Sequence, residues 1–168
     1  MEQNKTLLLD QNQVDQRINR LAYQIYEDNA DEKEIILAGI VRNGYALAER
    51  LSAALKKIAP FSIKLIEVQI DKHSQVEKEI LIPMKREDLN GKVVILVDDV
   101  LNSGKTMMYA LKPFLSADIK KVRTVVLVDR NHRRYPIATD FSGLTLSTTL
   151  QEHVSVEFEK ENALAFLT

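Results

Sequence analysis

The fourteen residues from Val93 to Thr106, VVILVDDVLNSGKT, hold the groups in this chain best suited to chemistry. Apolar, mostly β-branched residues read as a buried strand that ends in two carboxylates, Asp98 and Asp99. A short loop follows, Asn102, Ser103, Gly104 and Lys105, with a hydroxyl at Thr106. From Thr106 the apolar spacing of Met107, Met108, Leu111 and Leu115 predicts an amphipathic helix. Ligands of open α/β sheets bind at the carboxyl ends of the strands. Loop amides and a helix N-terminus there present N–H donors and partial positive charge to a phosphate. Carboxylates accept from sugar hydroxyls while the amides hold the phosphate, so the order of parts suits a ribose phosphate.

Two other readings of the run fail on its residues. Gly104-Lys105-Thr106 matches the end of a triphosphate-binding P-loop, but such a loop needs a glycine five positions before its GK glycine, where Asp99 stands. A carboxylate in that cradle would repel the anion. Phosphoacceptor domains of two-component signalling also end a strand in VDD, but near the chain start and without a following SGKT-like loop.

The elements that must position these groups alternate strand and helix. Asp10 is placed to cap a helix whose apolar face is Val14, Ile18, Leu21, Ala22 and Ile25. EIILAGI, from Glu34 to Ile40, reads as a strand. A second helix after Gly44 offers Leu47, Leu51, Ala54, Leu55 and Ile58 and is closed by Pro60. Strand starts at Ile35, Ile63, Val93 and Val122 are separated by 28, 30 and 29 residues, the length of a βαβ unit. The stretch from Asp71 to Gly91 is less helical; its polar ends and the apolar EILIP inside predict a mobile loop and a small extra strand. After Asp140 short strands are expected, with clear alternation in HVSVEFE.

At these residues a family resemblance emerges. VVILVDDVLNSGKT closely resembles the phosphoribosyl pyrophosphate (PRPP) motif of type I phosphoribosyltransferases. A second run, VVLVDRNHRRYP from Val125 to Pro136, followed by Asp140, Phe141 and Gly143, is similar to the base-side loop of the bifunctional pyrimidine-operon attenuator / uracil phosphoribosyltransferase family. GIVRNGYALAERL, from Gly39 to Leu51, stands where that family has its pyrophosphate loop and the following helix. The resemblance runs from about Leu7 to Phe158. It implies an α/β fold, a single type I phosphoribosyltransferase domain over residues 1–168, with a twisted, mostly parallel sheet flanked by helices and a small hood.

The resemblance also implies roles. Uracil and PRPP would give UMP and pyrophosphate through a transition state with oxocarbenium character, as in glycoside hydrolysis. Asp98 and Asp99 would accept from the ribose hydroxyls or from water on Mg²⁺, a cation that favours hard oxygens and retained waters. Asn102, Ser103, Gly104, Lys105 and Thr106 would hold the 5′-phosphate. Val41, Arg42 and Asn43 would form the pyrophosphate loop, with Arg42 as its charge. The family usually sets its basic residue directly before the glycine, but here Asn43 holds that place and Arg42 lies one position earlier. The family's long flexible loop carries an arginine with acids, whereas DKHSQVEKE here offers Lys72, Lys78 and His73. Transferases for 6-oxopurines usually carry an acid where this chain has Asn102, and its absence favours a pyrimidine. On the base side Arg130 is expected to meet the uracil edge, with Asp129 orienting its loop.

Composition is compatible with this reading. Net charge is -1, with 23 basic and 24 acidic residues, which argues against bulk attraction to nucleic acid or to an anionic membrane. The alternative function that the resemblance carries is a UMP- or UTP-sensing regulator that binds RNA on the same fold. It is disfavoured because the first helix is not basic along Asn19, Tyr23 and Asp28, and the run from Arg130 to Arg134 is a small footprint. With no cysteine, thiolate metal sites and disulfides are excluded, and His73, His132 and His153 are scattered. The polar start MEQNKTLLLD and short apolar runs lead to the expectation of a cytoplasmic protein without a membrane span. Relatives of this kind generally pair, so a homo-oligomer, a dimer or larger, is expected.

Overall fold

A computed structural model describes residues 4–70 and 79–168. Its centre is a five-stranded parallel sheet of order β3-β2-β4-β5-β6, formed by β2 (Glu34–Ile40), β3 (Ser62–Val68), β4 (Val93–Leu101), β5 (Lys121–Asp129) and β6 (Phe141–Thr145). Near-continuous Val, Ile and Leu in β2, β4 and β5 are what a sheet covered on both faces requires, and those strands are almost wholly buried. The strand order reverses between β2 and β4. Loops leaving the carboxyl ends of these neighbours diverge to opposite sides and leave a crevice there.

One face of the sheet packs against α1 (Gln11–Asp28) and α2 (Asn43–Ile58). The predicted face of α1 is the buried one, Val14, Ile18, Leu21, Ala22 and Ile25. Asp10 caps the helix, its carboxylate accepting the Gln13 N–H at 2.8 Å while the Gln13 side chain accepts the Asp10 N–H at 2.9 Å. In α2, Leu47, Leu51 and Leu55 are buried as expected, together with Ala48 and Ser52; Ala54 and Ile58 are only partly covered. A strut ties the end of α1 to β5: the Arg123 guanidinium donates to Asp28 at 2.9 Å and holds its carboxyl below the usual carboxylate range.

The other face carries α3 (Arg86–Leu89), α4 (Lys105–Ala110) and α5 (Lys112–Leu115). Here the expected single helix is corrected. It breaks after Ala110, because Pro113 has no N–H to continue the ladder, and Leu115 is 71% exposed while Phe114 is buried in its stead. EILIP provides only an isolated bridge, Leu81 to Gln69, and the turn of helix α3 went unread in the sequence. Lys72, His73 and Lys78 lie outside the described residues.

The short terminal strands form a second, antiparallel sheet, β1 (Thr6–Leu9), β8 (Asn162–Leu167) and β7 (Val154–Glu159), in the position of the expected hood. No helix among the described residues is long and apolar enough to cross a membrane.

Gly39, in β2 beneath α2, shows how tightly the site's supports are packed. A Cβ there would stand 2.5 Å from the Cα of Tyr45 and 2.9 Å from the Cβ of Ala48. Backbone cannot move aside as a flexible side chain can. Gly39→Ala is therefore expected to lower stability by about 1–3 kcal/mol, read as a fall of about 2–4 °C in Tm for each kcal/mol. An unchanged Tm would show that α2 rides loosely on the sheet.

Candidate active site

The crevice at the strand-order reversal collects most of the expected site residues. A cavity of about 150 Å³ is lined by the chain from Asp98 to Met107. Asp98 and Asp99 lie within β4, so the strand's own hydrogen bonds fix their backbone. Side chains alternate across a strand, and the two acids accordingly differ in surroundings. Asp98 is buried, 4% exposed, and its Oδ1 accepts the Asp99 N–H at 3.0 Å. Asp99 is half-buried and its Oδ1 accepts the Val100 N–H at 2.8 Å.

The phosphate-type loop, Asn102 to Gly104, has the conformation its glycine allows. Gly104 sits at φ 86°, the left-handed region, and caps α4. A Cβ there would approach Ile137 Cγ2 to 2.6 Å. The Ser103 carbonyl accepts N–H groups from Arg134 at 2.8 Å and Tyr135 at 3.0 Å, so residues 134–137 pack against the loop. Lys105 is exposed at the loop's end and Thr106 is half-buried.

The neighbouring loop, Val41 to Asn43, arrives from β2. Arg42 caps α2 at φ 72°, ψ -119°, a region close to glycine-only. Asn43 ties its loop to two strands: its Nδ2 donates to Asp99 Oδ2 of β4 at 3.0 Å and to the Val156 carbonyl of β7 at 2.8 Å. The amide that replaces the family's basic residue thus braces an acid of the site and links it to the hood.

Asp129 and Arg130 are both buried, and neither is among the residues that line this cavity. Asp129 organises its own loop, accepting from the Asn131 N–H at 2.8 Å, Thr139 Oγ1 at 3.1 Å and Arg133 at 3.4 Å. Arg130 donates to Asn102 Oδ1 and Thr148 Oγ1, both at 2.9 Å, and to the carbonyls of Thr149 and Glu152. The segment 148–152 was not singled out in the sequence. Its signal was the Thr149-x-x-Glu152 spacing of a capping turn: the Glu152 carboxylate accepts the Thr149 N–H at 2.7 Å, which lowers its pKa below the usual range.

No group of three or more His, Cys, Asp or Glu among the described residues is arranged to cage a metal. The donor set at Asp98 and Asp99 fits Mg²⁺ in the mode where one or two carboxylates and retained waters supplement substrate oxygens.

A parallel sheet with this strand reversal, an acidic pair ending in a glycine loop and an antiparallel hood together define a phosphoribosyl-transfer fold. Residues 5–160 match the phosphoribosyl transferase domain family, and the chain belongs to it. Among curated proteins it is 34% identical over 162 residues to the Bifunctional protein PyrR of Clostridium kluyveri, covering 93% of this chain and 92% of that one. It is 36% identical over 160 residues to the Bifunctional protein PyrR of Haemophilus ducreyi, with 91% and 89% covered. The hypoxanthine phosphoribosyltransferase of Trypanosoma cruzi superposes with a TM-score of 0.75 at 16% identity over 95% of both chains, a likeness of fold alone. The pentosyltransferase class and the bifunctional pyrimidine family implied by the motifs both stand.

Proposed function

We propose that the protein converts uracil and PRPP to UMP and pyrophosphate with Mg²⁺. The observation that carries this reading is the cavity that joins the acidic pair of β4 to the Gly104 loop, with the strained Arg42 loop tied to it by the Asn43–Asp99 hydrogen bond. Amides of residues 102–106 hold the 5′-phosphate, and Asp98 and Asp99 hold the ribose. Arg42 and the N-terminal amides of α2 take the pyrophosphate as it leaves. Asp98 and Asp99 would hold Mg²⁺ through water, and the metal would supply charge neutralisation to the departing group. Developing positive charge at C1′ lies beside these two carboxylates, which stabilise it.

The test is an assay of pure protein with PRPP and Mg²⁺ against uracil, cytosine, hypoxanthine, guanine and xanthine. UMP formed from uracil alone is the expected result. Turnover of a purine, or of no base, would overturn the assignment.

The regulatory reading rests on the family's second function. Two arginines of α1 are engaged within the fold: Arg17 donates to the Gly143 carbonyl at 3.0 Å, and Arg20 to the Ser142 and Gly143 carbonyls at 2.8 and 2.7 Å. Arg133 contacts Asp129. These contacts occupy both arginines of α1 and one of the 130–134 run, and net charge is -1, so binding to a pyrimidine-gene leader RNA is expected to be weak, non-specific and shallow in its salt dependence. A gel-shift titration at physiological salt, with and without UMP, checks this. Nanomolar, UMP-enhanced binding would make regulation primary, with His132 and Arg133 the first residues to replace.

A further inference from the structure

Arg130 is buried, 6% exposed, at the point where β5 ends. Its backbone N–H donates to the Leu101 carbonyl at 3.1 Å, which pins the end of β5 to the end of β4. From there its guanidinium reaches in two directions. Nη1 donates to Asn102 Oδ1 at 2.9 Å, the residue that opens the phosphate loop. Nε donates to Thr148 Oγ1 at 2.9 Å, and Nη2 donates to the carbonyls of Thr149 and Glu152. Those carbonyls converge because the Thr149 N–H is itself held by the Glu152 carboxylate. A rigid planar fork suits such a task, since it fixes several acceptors at set angles; an ammonium on a flexible stem does not.

We propose that Arg130 is a positioning residue: it acts on ligand through Asn102, locking the phosphate loop to the segment 148–152, instead of contacting the base. This rests on the function proposed above, in which residues 102–106 take the 5′-phosphate. It also replaces the sequence expectation that Arg130 meets the uracil edge.

The two roles separate by ligand. Ribose 5-phosphate carries the phosphate without a base, and UMP carries both. Titration calorimetry of Arg130→Met and Arg130→Lys should show ribose 5-phosphate and UMP weakened by the same factor, about tenfold or more, because the phosphate loop loses the brace that presets it. Lysine should fail to rescue, because its charge is retained and only the fork is lost. If UMP weakens while ribose 5-phosphate does not, Arg130 touches the base and the inference is overturned. Equal affinities with a lowered Tm would overturn it too, leaving a purely structural arginine. Wild-type protein that binds neither ligand would overturn the proposed function and this inference with it.

Should both Arg130 variants fail to fold, a double-mutant cycle of Asn102→Ala with Thr148→Val reads the same linkage, because Arg130 is their shared partner. Non-additivity of about threefold or more in ribose 5-phosphate affinity is expected; additive losses would overturn the inference.

Discussion

Replacing Asp98 and Asp99 together by asparagine is expected to abolish measurable PRPP binding while the protein stays folded. Each acid removed takes with it hydrogen bonds of a carboxylate to sugar hydroxyls or to metal-bound water. Such bonds are worth about 1.5–3 kcal/mol each, so the pair accounts for roughly a hundredfold to ten-thousandfold in affinity. The fold tolerates the change for a local reason. Asp98 Oδ1 accepts the Asp99 N–H and Asp99 Oδ1 accepts the Val100 N–H, and an asparagine carbonyl oxygen can do the same. The contact from Asn43 to Asp99 Oδ2 is lost, and Asn43 keeps the Val156 carbonyl. Titration calorimetry with PRPP and UMP, alongside a thermal melt, checks both halves. Unchanged PRPP affinity in the double variant would remove the acidic pair from the site.

The second large effect concerns Arg42, where stability and binding should move in opposite directions. Its backbone, at φ 72° and ψ -119°, stores strain of about 1–3 kcal/mol for a residue with a Cβ. Arg42→Gly relieves that strain, offset by about 0.5–1 kcal/mol for glycine's greater freedom in the unfolded chain, so it should melt higher than Arg42→Ala, which keeps the strain. Both variants lose the guanidinium. PRPP and pyrophosphate should weaken by about tenfold to more than a hundredfold, 1.5–3 kcal/mol, and UMP much less, because it lacks the pyrophosphate. Equal weakening of all three ligands would place Arg42 elsewhere in the mechanism. If the glycine variant melts no higher than the alanine variant, the loop is not strained.

That strain has a functional sense. In the proposed reaction, a loop held in an unfavourable conformation at the N-terminus of α2 would be preset for pyrophosphate, so binding need not order it. Gly104 achieves the same across the crevice without strain, because a glycine adopts φ 86° freely. The two loops are thus preset by different means, one by residue type and one by the packing around it.

Short-range pattern determined the sequence's share of this account. The buried face of α1 followed residue by residue from 3.6-residue spacing, its cap from Asp10, and the strands β2, β4 and β5 from β-branched runs. The acidic pair and its glycine loop were legible for the same reason: every part lies within fourteen consecutive residues. What only the tertiary structure decided depends on partners far along the chain. Asn43 belongs to the expected pyrophosphate loop, and its amide meets Asp99, 56 residues away, and Val156, 113 residues away. For Arg130 the structure supplies partners that no local pattern marks: Asn102, 28 residues before it, and Thr148, 18 residues after it, accept its donors. Leu115 fits a helical stripe that Pro113 interrupts, so packing turned it outward. A hydrogen-bonding side chain carries no mark of its partner in its own neighbourhood, whereas an apolar periodicity does, and that difference separates the elements, legible in advance, from the wiring of the site.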